Sequence, residues 1–177
     1  MVVQRVLVIP GSLRVGSFSA ALARAICAET VDGVSTEYFD AVRDLPIYDQ
    51  DLDRDPLPPA AARLRERIEA ADGLFIVTPE YNYNVPGGLK NAVDWASRPF
   101  AAHCLLNKKV AVVGCSPGTR GGKASVEYLR SVIPQLKGHL VGPEVLIPAV
   151  NTLVDGNGVV DESVRRRLRD VLVEFVR

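Results

Sequence analysis

Three runs of consecutive apolar residues constrain this chain more than any other feature: Val6-Leu7-Val8-Ile9, Leu74-Phe75-Ile76-Val77 and Val110-Ala111-Val112-Val113. None of them alternates with polar residues. A strand with one wet face alternates, whereas a strand in a parallel sheet covered on both faces is apolar throughout. After each run come a loop and then residues spaced as on one face of a helix. These stripes are Ala21, Leu22, Ala25 and Ile26; Leu89, Ala92 and Val93; and Val126, Leu129, Ile133 and Leu136. Two further stripes, Ala61/Leu64/Ile68/Ala71 and Val164/Leu168/Leu172/Phe175, and two further strand segments, 34–39 and part of 140–147, complete a strand–helix order repeated about five times. That order predicts an α/β fold with helices on both faces of a parallel sheet.

Local signals refine the plan. The mixed polarity of 34–39 predicts an edge or half-exposed strand. Ser17 or Ser19 is available to cap the first helix, and Pro86 sits where a helix accepts proline best, at its first turn. Pro134 predicts a bend in its helix, and Gly142-Pro143 blurs the position of the last strand. The stretch 40–59, with Asp44, Asp49, Asp51, Asp53 and Asp55 and four prolines, reads as a long solvated connection with little regular structure. It lacks the glycine at the sixth position and the glutamate at the twelfth that a calcium loop starting at Asp49 or Asp51 needs, so no metal site is expected. Arg165, Arg166, Arg167 and Arg169 read as a solvated helix face.

Composition narrows the function. Twenty-one basic residues balance 21 acidic ones, so no global field draws the chain to nucleic acid or an anionic membrane. Cys27, Cys104 and Cys115 are odd in number and far apart, which suits reduced thiols in the cytoplasm better than a disulfide or zinc site. No apolar stretch reaches the ~18–20 residues of a membrane helix. At 177 residues, one domain spanning 1–177 is the expectation.

In open α/β sheets, ligands sit beyond the carboxyl ends of the strands, so the loops after the apolar runs carry the functional information. The first, Gly11-Ser12-Leu13-Arg14-Val15-Gly16-Ser17-Phe18-Ser19, brings three hydroxyls, a guanidinium and a helix N-terminus together, a plausible cradle for a phosphate monoester. An ordinary serine-capped turn would also account for it. The Lys-Ser/Thr of a nucleoside-triphosphate P-loop is missing after Gly16, and the dinucleotide glycine fingerprint is absent. The second loop, 78–88, carries Glu80, Tyr81, Asn82, Tyr83 and Asn84, residues suited to a flat heterocycle that needs stacking and hydrogen bonds together. The third, 114–122, is glycine-rich, with Ser116 and Thr119 as donors. His103 and His139 lie outside all three loops, and no catalytic acid or base is assigned.

Gly11-Ser12-Leu13-Arg14 with Ser17, and Pro79-Glu80-Tyr81-Asn82 followed by Pro86-Gly87-Gly88-Leu89-Lys90-Asn91-Ala92-Val93-Asp94-Trp95, resemble the two signatures of the flavodoxin-like NAD(P)H-dependent FMN reductases, a family that includes quinone, chromate and azo-dye reductases. The resemblance implies a flavodoxin-like three-layer sandwich with a five-stranded parallel sheet of order 2-1-3-4-5. It implies FMN as cofactor, held at the phosphate and ribityl chain by Ser12, Arg14, Ser17, Phe18 and Ser19. The ring would be lined by Pro79, Glu80, Tyr81 and Asn82, with Tyr83 nearby, and approached by Ser116, Pro117 and Gly118. Ser19 stands where the family often has Asn, and the third loop is the least typical of the pattern. NADPH or NADH would be the co-substrate and a small molecule the electron acceptor, with ping-pong kinetics and a homodimer or homotetramer. The competing readings are an electron-transfer flavodoxin, which would usually be strongly acidic, and a nucleotide- or phosphosugar-binding module.

Overall fold

The computed structural model describes residues 3–155, 157–158 and 160–177. The three apolar runs form the centre of one parallel sheet: β1 (Gln4–Pro10), β3 (Gly73–Thr78) and β4 (Lys109–Cys115), with β2 (Val34–Tyr38) on the outer edge beside β1. The order is β2-β1-β3-β4-β5, as the resemblance implied. Along each central strand the side chains go alternately to two cores. Leu7, Ile9, Leu74, Ile76, Val110 and Val112 pack under α2 (Pro59–Ala70), α3 (Gly87–Ala96) and α4 (Lys123–Gln135). Val6, Val8, Phe75, Val77, Ala111 and Val113 pack under α1 (Phe18–Ala28) and α5 (Glu162–Val173). Continuous hydrophobicity in sequence is therefore the sum of two interleaved faces, each buried against helices.

Two expectations need correction and a third needs refinement. The last strand is two short pieces, β5 (His139–Leu140) and β6 (Val145–Ile147), both paired to β4. Gly142, at φ +70°, and Pro143 break the ladder between them. The 40–59 segment is solvated along much of its length, as expected, but it is anchored to the core at several points. Ala41, Val42 and Leu45 are buried, and the Pro46 carbonyl accepts from both Trp95 Nε1 and Asn91 Nδ2 at 2.8 Å. Asp53 pairs with Arg65 at 2.6 Å, both largely shielded. Finally, Arg165 and Arg169 of α5 are not simply solvated. They grip the Glu29 carboxylate, just past α1, at 2.6 Å each, and its side chain is only 3% exposed. Arg166 and Arg167 do face solvent.

Candidate functional site

The loop from β1 to α1 starts with a close approach. A Cβ on Gly11 would lie 2.9 Å from Leu89 Cδ2 and 3.2 Å from the Thr78 backbone, so this position brings the first two loops together and excludes side chains. Ser17 is the N-cap of α1; its hydroxyl accepts from the Ala20 amide and shares a 2.8 Å hydrogen bond with Ser19 Oγ. Among the described residues, the Phe18 and Ser19 amides have no partner within the chain. These are first-turn donors at the positive end of a helix dipole. Ser12 Oγ accepts from the Arg14 amide and shares a 2.9 Å bond with the Tyr81 hydroxyl. Ser12, Ser17 and Ser19 are buried. The exposed Arg14 guanidinium lies 5.8 Å over the Phe18 ring and donates only to Gly16 O, at 3.3 Å. Among the described residues no carboxylate pairs with it.

The second loop, after β3, reverses tightly. Tyr81 and Asn84 exchange backbone hydrogen bonds of 2.9 and 3.0 Å, with Asn82 and Tyr83 both left-handed at φ +49° and +61°. Two successive positive φ values match the twist of a primed turn. For Tyr83 that conformation costs roughly 1–2 kcal/mol. One side chain and one backbone amide of α4 hold it. The fully buried Ser125 hydroxyl reaches both Pro79 O (2.8 Å) and Asn84 O (2.7 Å). The Glu80 carboxylate accepts from the Ala124 amide at 2.8 Å and lies 3.4 Å from Arg120. Gly122 begins α4 without a capping side chain, so Glu80 supplies the cap from across the sheet. Tyr81 is thereby turned to Ser12, while Tyr83 is 75% exposed beneath the Arg120 guanidinium.

The third loop folds back onto the end of β4. Gly122 has φ +82°, and a Cβ there would lie 2.9 Å from the Cys115 amide nitrogen. Ser116 N donates to Ile147 O, and Val150 N donates to Ser116 O. These bonds tie the loop to the segment after β6.

The three loops enclose a cavity of about 210 Å³ at the carboxyl edge of the sheet. Of the predicted positions, Ser12, Arg14, Ser17, Phe18, Ser19, Pro79, Glu80, Tyr81, Ser116 and Pro117 line it. Asn82 and Gly118 do not: Asn82 is exposed at the tip of the reversed turn, and Gly118 is held through its carbonyl by the Ala149 amide. Two lining residues escaped sequence reasoning. Cys115 is the last residue of β4, and burial pushes its thiol up to about 12, so it lines the site as a small apolar group. Val150 arrives only through the backbone bond to Ser116; no sequence signal announces it. The histidines stand apart. His103 is buried with Nδ1 lacking a partner, and His139 is exposed on β5.

At one end the cavity gathers donors for an anion: two unpartnered helix amides and a guanidinium without an ion-pair partner among the described residues, beside three hydroxyls that bond to one another and to Tyr81. The Tyr81 ring follows. This chemistry fits the phosphate, ribityl chain and ring of FMN. A parallel sheet of this order with such a site at its carboxyl edge defines a flavodoxin-like flavoprotein. More narrowly, the chain belongs to the NADPH-dependent FMN reductase family, whose model matches residues 4–152. It is 38% identical over 173 residues to a 2-hydroxy-1,4-benzoquinone reductase of a Burkholderia species, covering 97% of this chain and 93% of that one. It is 35% identical over 175 residues to a quinone reductase of Escherichia coli K12, with 97% and 93% covered. Among solved structures it resembles FerB, a flavoenzyme NAD(P)H:(acceptor) oxidoreductase from Paracoccus denitrificans, with TM-score 0.85, 29% identity and 98% of each chain covered. The protein is thus an oxidoreductase that uses FMN with NAD(P)H.

Proposed function

We propose that residues 1–177 act as one FMN-binding unit that passes electrons from NAD(P)H to a small acceptor of the quinone type. The observation that carries this reading is the convergence, in one cavity, of the unpartnered Phe18 and Ser19 amides, Ser12, Ser17, Ser19 and the uncompensated Arg14. FMN, when bound, supplies hydride acceptance at N5 and delivery to an acceptor. The protein's part is to bind and orient. Ser12, Arg14, Ser17, Phe18 and Ser19 would hold the phosphate end, and Pro79, Glu80, Tyr81, Ser116 and Pro117 would line the ring. Asn82 contributes its backbone conformation to the hairpin, and Gly118 its carbonyl to the third loop. Donor and acceptor share one open face, which predicts ping-pong kinetics.

A volume of about 210 Å³ is below the ~300–1,000 Å³ usual for small-molecule sites, so FMN would not be wholly enclosed by it. Tyr81, Tyr83 and Phe100 are exposed large apolar groups. A homodimer or homotetramer in which a second copy covers the cavity mouth would complete the site. No helix among the described residues is long and apolar enough to cross a membrane, and a cytoplasmic enzyme is the matching location. The test is an absorbance spectrum of the purified protein, before and after FMN and then NADPH without oxygen. Flavin bands that bleach on NADPH and recover with a quinone support the reading. A protein that takes up no flavin overturns it.

A further inference from the structure

A second cavity, more spacious than the one described above, lies beside it. It is an open groove of about 570 Å³ on the other side of the first loop, between the ends of β1 and β2 and the α2 helix. The two cavities share Ser12 and Arg14, so they form one continuous surface. Arg24, Arg43 and Arg63 join Arg14 along the groove. Among the described residues none of the four has a carboxylate within salt-bridge distance, although Asp40 and Asp44 line the same groove.

The guanidinium groups are positioned without being neutralised. Arg24 lies 5.2 Å over the Tyr38 ring and Arg63 6.0 Å over Phe39. Arg43 donates to Leu13 O at 3.0 Å. Stacking holds a guanidinium plane in place yet leaves its N–H edge free. Forked donors in that state match the oxygens of a phosphate dianion. The volume suits a nucleotide.

We propose that this groove binds the adenosine 2′-phosphate end of NADPH while the nicotinamide end reaches the smaller cavity, so that Arg24, Arg43 and Arg63 set a preference for NADPH over NADH. The proposal rests on the reductase reading above, since it takes the nicotinamide to be oxidised at the neighbouring cavity. The dianionic 2′-phosphate is the chemical difference between the two dinucleotides, and it is what three unpaired guanidiniums would read.

The experiment uses the FMN-loaded protein and two calorimetric probes, adenosine 2′,5′-bisphosphate and ADP. The wild type should bind the bisphosphate at least about tenfold more tightly than ADP. Arg24→Ala and Arg63→Ala should each remove most of that difference, about tenfold per lost charge-assisted contact, with FMN content unchanged. In steady state the same variants should raise KM for NADPH about tenfold and leave KM for NADH within twofold. Arg24→Lys should recover part of the loss, which a purely structural role for the stacked arginine would not predict. Equal binding of the two probes, or variants that shift NADH and NADPH alike, would overturn the proposal while leaving the reductase reading in place. If the wild type oxidised neither dinucleotide, the reductase reading would fail and with it the assignment to NADPH, and bisphosphate binding would then only mark a nucleotide groove.

Discussion

Replacing Arg14 by alanine tests the phosphate cradle most directly, because the structure separates its effect on binding from any effect on folding. The side chain is exposed, makes one long 3.3 Å bond to Gly16 O, and has no ion-pair partner among the described residues. Its removal should therefore change stability by no more than ~0.5 kcal/mol, as for an ordinary surface position. A charge-assisted hydrogen bond to a bound phosphate contributes about 1.5–3 kcal/mol. Solvent exposure places Arg14 at the low end of that range, and ~1.5 kcal/mol corresponds to roughly a tenfold rise in Kd. The measurement is FMN titration into apoprotein, followed by quenching of flavin fluorescence, with thermal unfolding of the apoprotein alongside. Arg14→Lys should lose less, since it keeps the charge but not the fork. Raising salt should narrow the gap between wild type and variant. An unchanged Kd in Arg14→Ala, with an unchanged melting curve, would refute the assignment of this loop as the phosphate site.

Other consequences are equally open to measurement. Ser125→Ala removes one donor from the Pro79 and Asn84 carbonyls, which keep Thr78 Oγ1 and the Tyr81 amide respectively; it should cost about 0.5–1.5 kcal/mol in denaturant unfolding and weaken FMN binding through the loosened hairpin. Gly122→Ala places a Cβ 2.9 Å from Cys115 N at φ +82°; it should lower the melting temperature by several degrees, at a cost of roughly 1–2 kcal/mol, and a melting curve like that of the wild type would show that the third loop relaxes freely. Stability should decline in two acid steps. Burial and then the nearby Arg98 charge lower the His103 pKa below 6.5, so its unfolded form binds protons first and stability falls as pH drops below about that value; in His103→Leu this first step should vanish from the pH dependence of urea midpoints. Burial raises the Glu29 pKa, but the hydrogen bonds and charges of Arg165 and Arg169 outweigh it and leave it below 4.5. Its contribution is therefore present above the unfolded value and disappears as pH falls through the folded one, and Glu29→Gln should flatten that lower step.

Much of the architecture was legible because it depends on short-range periodicity. The apolar runs of β1, β3 and β4 have no polar residue to turn toward water, so they can only lie in a sheet covered on both faces. Helix stripes such as Leu64/Ile68 and Val126/Leu129/Ile133 repeat at the spacing of one helical face, and each is buried where the pattern placed it. The first two loops were legible as well, since a hydroxyl-rich helix start and an aromatic turn each fit within ten residues.

What only the tertiary structure decided involves partners far apart in the chain. Glu80 caps a helix that begins 43 residues later, through a bond spanning 44 positions. Ser125, an unremarked helical serine in sequence, fixes the hairpin across 41 and 46 positions. Val150 enters the cavity because Ser116 pairs with its backbone, and the aspartate-rich segment is anchored by Trp95, Asn91 and Arg65. Arg165 and Arg169 look solvated in isolation because a helical stripe reports only its own face; the buried Glu29 that they hold lies 136 and 140 residues away. Residue type and local spacing determine which groups can seek burial or donate a hydrogen bond. Which partner satisfies them is decided by the order in which the parallel strands assemble, since that alone sets which loops meet at one edge of the sheet.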